Sequence, residues 1–347
     1  MTPTRKTYAF ILATLFLLAG LAPAAAAAQK EKNEKQKKTT ASEKSKKKKP
    51  APRGAHVLWR EPSDIGSRDT FEGPGASIRP DLRRVTIIKK EEGGWSPKLR
   101  VKDASGREWV AKMGKEAQPE TAAVRLLWAV GYMTEINHLV PCVKFENAPE
   151  MPKEAERCEG GGFANVRFEA RPKNVKRVGM WSWKKNPFTG TRELGGLKTL
   201  MVLINNWDTK DENNVLFQTK HNGRDELHYV ISDLGATFGK TGSGPLWRLK
   251  RSRNDPEGYS EDKFVGGVRK DGRVDFDFSG MSSGEIKDVR VGDARWVGGL
   301  LARLSDKQIG DMFRAANYSP EEVRAFSDTL RRRIDQLVTL PPGAGGR

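Results

Sequence analysis

Asn206-Trp-Asp-Thr-Lys-Asp-Glu-Asn-Asn-Val-Leu-Phe217, followed by Ile231-Ser-Asp-Leu-Gly235, decides how this 347-residue chain is read. Leu197, Leu200, Met201 and Ile204 repeat at helical spacing just before it, so Asp208 falls in a loop beyond a helix. Val215 to Phe217 and Tyr229 to Ile231 read as short strands flanking a polar hairpin, and Asp233 follows the second strand. An ordinary Asx-rich turn accounts for the composition of 206–214. It accounts neither for the spacing Asp-x-Lys-x-x-Asn nor for the Asp-Leu-Gly downstream.

The chemistry these residue types suit is phosphoryl transfer, which needs positioning plus cationic and metal stabilisation of phosphates. Asp208 is a carboxylate able to orient or deprotonate an attacking hydroxyl. Asn213 offers a neutral oxygen and Asp233 a charged one, a set that suits Mg²⁺ or Mn²⁺; Asn214 competes with Asn213 for that part. Lys210 can neutralise charge on the moving group. Upstream, Val85–Lys89, Lys98–Lys102 and Glu108–Lys112 alternate as three antiparallel strands, with turn chemistry at Asp103–Gly106. Lys112 ends the third strand, and Val110 shares its face and can roof a base. Pro119 opens a helix to Val130, on which Ala123, Val124 and Leu127 put Glu120 on the buried stripe, facing Lys112. Taken singly, a surface Lys and a dipole-stabilising Glu are the plainer readings.

Two other chemistries are excluded. Gly235-Ala-Thr-Phe-Gly239-Lys-Thr241 has three residues between its glycines where a P-loop needs four. A carboxylate-only glycosidase reading leaves Lys112 and Asn213 without a role.

Together these islands resemble the protein kinase-like superfamily, and its atypical lipid-kinase-like and toxin-kinase-like branches more than the eukaryotic protein kinases. The resemblance spans about residues 83–338. It implies an α+β, two-lobed protein kinase-like fold, with a strand-rich N-lobe over 56–172 and a helix-rich C-lobe over 173–338. It implies ATP or another nucleotide as cofactor, with Lys112 on its phosphates and Glu120 as ion-pair partner. Asp208 takes the catalytic position, and Asn213 and Asp233 the metal positions. The chain departs from the pattern in having Asn206-Trp207 before the catalytic Asp and Leu234 for the usual Phe. Of a glycine-rich loop only Gly93-Gly94 remains, the candidate to approach the nucleotide. C-terminal helices are expected over 296–304, 306–316 and 320–337, the last capped by Ser319.

The ends are different material. Residues 1–28 carry Arg5 and Lys6, an apolar core over 9–21 and a small-residue run over 24–28, the pattern of a cleaved export signal. The expected location is the periplasm or outside the cell, with an uncleaved membrane anchor as the alternative to cleavage. Between Lys30 and Lys49 ten Lys face three Glu, +7 of the chain's net +18, within a Lys-rich 29–55 segment expected to be a disordered linker. Its charge suits an anionic membrane surface or an acidic envelope polymer; nucleic acid is the weaker reading, because export separates the protein from cellular DNA and RNA. Residues 339–347 read as a flexible tail. Cys142 and Cys158 are the only cysteines, paired in an oxidising compartment or else two buried thiols. Arg248, Lys250, Arg251 and Arg253 form a basic run after Asp233, suited to an acidic or phosphorylated acceptor or to a solvated loop. The sequence leaves the hydroxyl-bearing acceptor unnamed. A second reading keeps the fold without the chemistry, as a catalytically inactive pseudokinase or binding module of the envelope.

Overall fold

A computed structural model describes residues 52–91, 96–148, 155–242 and 245–342. The expected signal at 1–28, nearly all of the Lys-rich segment, and Gly93 and Gly94 lie outside them. No helix among the described residues is long and apolar enough to cross a membrane.

The first lobe is a five-stranded antiparallel sheet. Strand β1 (Ala55–Val57) belongs elsewhere; β2 (Thr86–Glu91), β3 (Lys98–Lys102), β4 (Glu108–Lys112), β5 (Asn137–Val143) and β6 (Phe163–Ala170) pair in the order β2-β3-β4-β6-β5. Period-2 alternation splits the central strands into two faces. Leu99, Val101, Trp109, Ala111, Val166 and Phe168 fill one apolar core. Lys98, Lys112 and Arg167 sit side by side in one cross-strand row of the opposite face. Helix α1 (Ala117–Ala129) packs against β5 and β6 and brings Glu120 onto that charged face. Cys142 and Cys158 form a disulfide, Cα–Cα 5.8 Å, at the edge formed by β5.

The second lobe starts with β7 (Lys176–Met180), a strand the sequence did not suggest, and α2 (Arg192–Leu203), capped by the Thr191 hydroxyl. Asn205 takes a left-handed φ of 53° beyond α2, a conformation Asn tolerates, and turns the chain into the Asp208 loop. Strands β8 (Asn214–His221) and β9 (Arg224–Ile231) make the polar hairpin and join a sheet in the order β1-β9-β8-β7. The Gly- and Arg-rich stretch holds α3 (Trp247–Lys250), α4 (Pro256–Glu261) and the β10–β11 pair (Val265–Val268, Val274–Phe276). Then come α5 (Ser283–Ile286), α6 (Val291–Leu301), α7 (Asp306–Arg314) and α8 (Pro320–Val338). Both α7 and α8 open with reciprocal capping boxes, Ser305/Gln308 and Ser319/Glu322. Phe313 and Phe326 stack at their centre, and Phe238 meets both of them and Tyr259 edge to face.

Three differences from the sequence reading have physical causes. β1 pairs in parallel with β9, while the residues after it pair with the segment just past α1 (Arg60 N–H to the Gly131 carbonyl at 2.9 Å, Met133 N–H to the Leu58 carbonyl at 3.1 Å), so the chain at 55–68 bridges the two lobes. The helix expected to begin at Trp296 begins at Val291, because Val291 and Ala294 continue its buried stripe. Leu340, placed in a flexible tail, is 5% exposed in the same core.

Candidate active site

The two lobes face each other across a cleft of about 570 Å³. From above, β4 presents Val110 and Lys112, Glu116 stands at the N-cap just before α1, and β6 presents Arg167 and Glu169. From below come the loop carrying Asp208, Lys210 and Asn213, then Asp233, and the basic segment with Arg248, Arg251 and Arg253.

Lys112 is no surface lysine. It is 1% exposed, and its Nζ lies 2.9 Å from Glu120 Oε2, 2.9 Å from Glu116 Oε2 and 3.2 Å from Asp233 Oδ1. Burial alone would push its pKa down; Glu120, Asp233 and Glu116 outweigh that and hold it raised, so the ammonium stays charged. Arg167 Nη1 holds the other oxygen of Glu120 at 3.2 Å, while its Nη2 donates to Glu169 at 2.8 Å. Arg171 pairs with the second oxygen of Glu169. Burial, with Glu169 beside it, pushes Glu135 well above the usual carboxylate range, and Ser232 Oγ donates to Glu135 at 2.8 Å.

The hairpin register brings the lower residues together. Asn214 pairs with Ile231, so Asn213 and Ser232 leave the hairpin side by side, and Ser232 N–H donates to the Asn213 carbonyl at 2.8 Å. Asn213 Nδ2 donates to the Asp208 carbonyl at 2.7 Å and to Asp208 Oδ2 at 3.3 Å. Lys210 Nζ sits 2.9 Å from the same carboxylate oxygen. The loop is pinned on its flanks: the Trp183 N–H donates to Asp211 Oδ1 at 3.0 Å, and Trp207 Nε1 donates to the Ser252 carbonyl at 2.8 Å. The guanidinium carbons of Arg251 and Arg253 lie 3.9 and 4.7 Å from the Trp207 ring centre. Arg253 also pairs with Glu116, linking the two lobes.

Asn213 and Asn214 are distinguished by the fold. Asn213 lines the cleft, whereas Asn214 opens β8, is 1% exposed, and its side-chain polar atoms find no hydrogen-bond partner. Of the basic run, Lys250 does not line the cleft.

The residues fit a magnesium-type ion. Asp233 uses Oδ1 for Lys112 and for the Gly235 N–H, at 3.3 Å, and the Asn213 amide nitrogen is spent on Asp208. Asp233 Oδ2 and Asn213 Oδ1 remain as hard oxygen donors. No cluster of three or more His, Cys, Asp or Glu suited to a metal occurs among the described residues. A two-residue set suits Mg²⁺, which keeps water and takes phosphate oxygens as further ligands.

Glu116, Arg167 and Glu169 were not singled out from the sequence, and Trp207 was noted only as a departure from the kinase pattern. Arg167 and Glu169 alternate with Val166 and Phe168, and that period of two was the signal that set them on the face opposite the core.

A buried strand lysine held by a helix glutamate, above a loop Asp and Asn and an Asp-Leu-Gly, makes this a two-lobed α+β protein kinase-like fold. No family model matches the sequence, and no curated protein matches it. Among solved structures the chain is similar to the Helicobacter pylori proinflammatory kinase CtkA, at 10% identity over 75% of this chain and 97% of that one, TM-score 0.42. It is also similar to the Golgi casein kinase, at 10% identity over 75% and 73% with TM-score 0.34. A third is the Rio2 kinase–ADP/Mg²⁺–phosphoaspartate complex from Chaetomium thermophilum, at 11% identity over 75% and 74% with TM-score 0.32. The geometry of the cleft, and not these likenesses, supports the reading that follows.

Proposed function

We propose that this chain is an exported kinase-like phosphotransferase that uses ATP or another nucleotide, with Mg²⁺ or Mn²⁺, to phosphorylate a hydroxyl-bearing acceptor. One observation carries the reading: Lys112, buried and charged, touches both Glu120 in its own lobe and Asp233 in the other. In this reading Lys112 holds the nucleotide phosphates and Glu120, fixed by Arg167, keeps the ammonium in place. Val110 roofs the base. A divalent ion held by Asp233 and Asn213 would neutralise phosphate charge. Asp208 accepts the acceptor's hydroxyl proton, and Lys210 steadies its carboxylate. Nine cationic side chains line the cleft against five acidic ones, which supports a phosphate-rich ligand and an acidic acceptor beside Arg248, Arg251 and Arg253. Export rests on the pattern of residues 1–28, and the Lys-rich segment is read as holding the protein near an anionic membrane surface or envelope polymer.

The test is single-turnover transfer of labelled γ-phosphate to water, to the chain itself and to acidic protein acceptors, comparing the native chain with Asp208→Asn. The reading expects metal-dependent transfer that drops about a thousandfold, as loss of a general base combined with misplacement of the hydroxyl predicts. Nucleotide binding with no transfer to any acceptor would favour the pseudokinase reading. The crowding of Lys112 by a third carboxylate, Glu116, is the observation on that side.

A further inference from the structure

A cavity of about 820 Å³ opens on the second lobe and shares no lining residue with the cleft. Its wall includes the cap and first turns of α2, from Gly190 and Thr191 to Lys198. The acidic groups around it are largely spoken for: Arg269 and Arg273 pair with Asp271, Arg273 also with Asp288, and Arg290 with Asp293. Among the described residues the lining charges left without an ion-pair partner are Lys184, Lys198 and Lys287 against Glu285 alone.

Lys198 is the anomaly. It is only 9% exposed, yet it makes no hydrogen bond or ion pair with any described residue. Burial lowers its pKa, opposed by the more distant charges of Asp288, Glu285 and Asp293. The side chain is buried but its Nζ reaches the cavity and no protein partner; holding a partly desolvated, unpaired ammonium there is costly, and a Leu or Met on this face of α2 would serve packing better. The α2 N-terminus adds a positive partial charge at the same wall. An unpaired, partly desolvated cation on a mostly buried side chain, two further lysines and a helix N-terminus around one cavity are a site short of its anion.

We propose that this cavity binds a small phosphate-type anion, inorganic or ester, anchored on Lys198 with Lys184 and Lys287 nearby. The site stands independently of the reading of the cleft. It is linked to the Asp208 loop, since Trp183 lines the cavity and its N–H is bonded to Asp211 of that loop.

The test is amine-reactive labelling of the full chain, read at Lys198 by peptide mass spectrometry, with inorganic phosphate, pyrophosphate or glycerol phosphate added. An anion at ten times its Kd should slow labelling about tenfold. Asp233→Ala, which disables the cleft, should leave that protection intact. The relative potency of the three probes distinguishes an inorganic from an ester ligand. Melting of Lys198→Met provides the second arm: it should raise Tm without anion and abolish the anion's own stabilisation. Labelling unchanged by every probe would overturn the proposal, as would a Lys198→Met chain that melts lower and still responds to anion.

Discussion

Lys112 Nζ and Asp233 Oδ1 lie 3.2 Å apart although 121 residues separate them in the sequence and each belongs to a different lobe. The contact couples the first lobe's charged sheet face to the β8–β9 hairpin. Because Lys112 also balances Glu116 and Glu120, it is at once a candidate phosphate ligand and the hub of a buried charge network.

Lys112→Met should therefore cost stability as well as nucleotide binding. Removing one member of a buried ion-pair network leaves uncompensated charge and typically costs about 3–5 kcal/mol. Urea denaturation should show that loss, and adding Glu120→Gln to the same chain should recover part of it. Equal stability of native and Lys112→Met chains would mean the network is solvated in solution.

His138 sets an acid limit on the fold. Burial and the neighbouring Arg125 lower its pKa to about 4 from an ordinary 6.5, while its ring bonds the Ile78 carbonyl at 2.7 Å. The unfolded chain then binds more protons between those two values, so stability is fully present above pH 6.5 and is lost as pH falls toward 4. The shift corresponds to at most about 3 kcal/mol. Denaturant midpoints measured from pH 7 to 4 should fall steeply in the native chain and more shallowly in His138→Gln.

Gly235 is required by close approach and not by its backbone angles. A Cβ added there would lie 2.5 Å from Glu116 Cβ, against the carboxylate that touches Lys112 and Arg253. Gly235→Ala should destabilise by about 1–3 kcal/mol, the usual cost of overpacking, and should weaken nucleotide binding by displacing Glu116. Unchanged melting and binding would show that the lobes open enough to admit a methyl group.

The Cys142–Cys158 disulfide closes a loop with a sequence separation of 16. On chain-entropy grounds, a loop of that size is worth about 3 kcal/mol. Cys142→Ser/Cys158→Ser should lose that much in denaturant titration while retaining ligand affinity, since the bridge lies away from the cleft.

The residues legible in the sequence were those whose type and local spacing are both informative. Asp208, Lys210 and Asn213 share one loop, and Asp233 sits two residues past a strand; Lys112 and Glu120 sit on adjacent elements with clear periodicity. Arg167, Glu169 and Glu116 were not legible as site residues, because ordinary charged residues become a network only through cross-strand register and the meeting of two lobes. Asn213 and Asn214 could not be separated by spacing; the start of β8 separates them by turning Asn214 inward. Ala55–Val57 carries no local strand signal, since β1 is defined only by its parallel pairing with β9.

The central claim is that the Lys112–Asp233 cleft is a metal-dependent nucleotide site, and calorimetric titration of the full chain with ATP, with and without Mg²⁺, tests it most directly. The account predicts binding that needs Mg²⁺ and disappears in Asp233→Ala. Absence of binding by ATP and by other nucleoside triphosphates, with either Mg²⁺ or Mn²⁺, would contradict it.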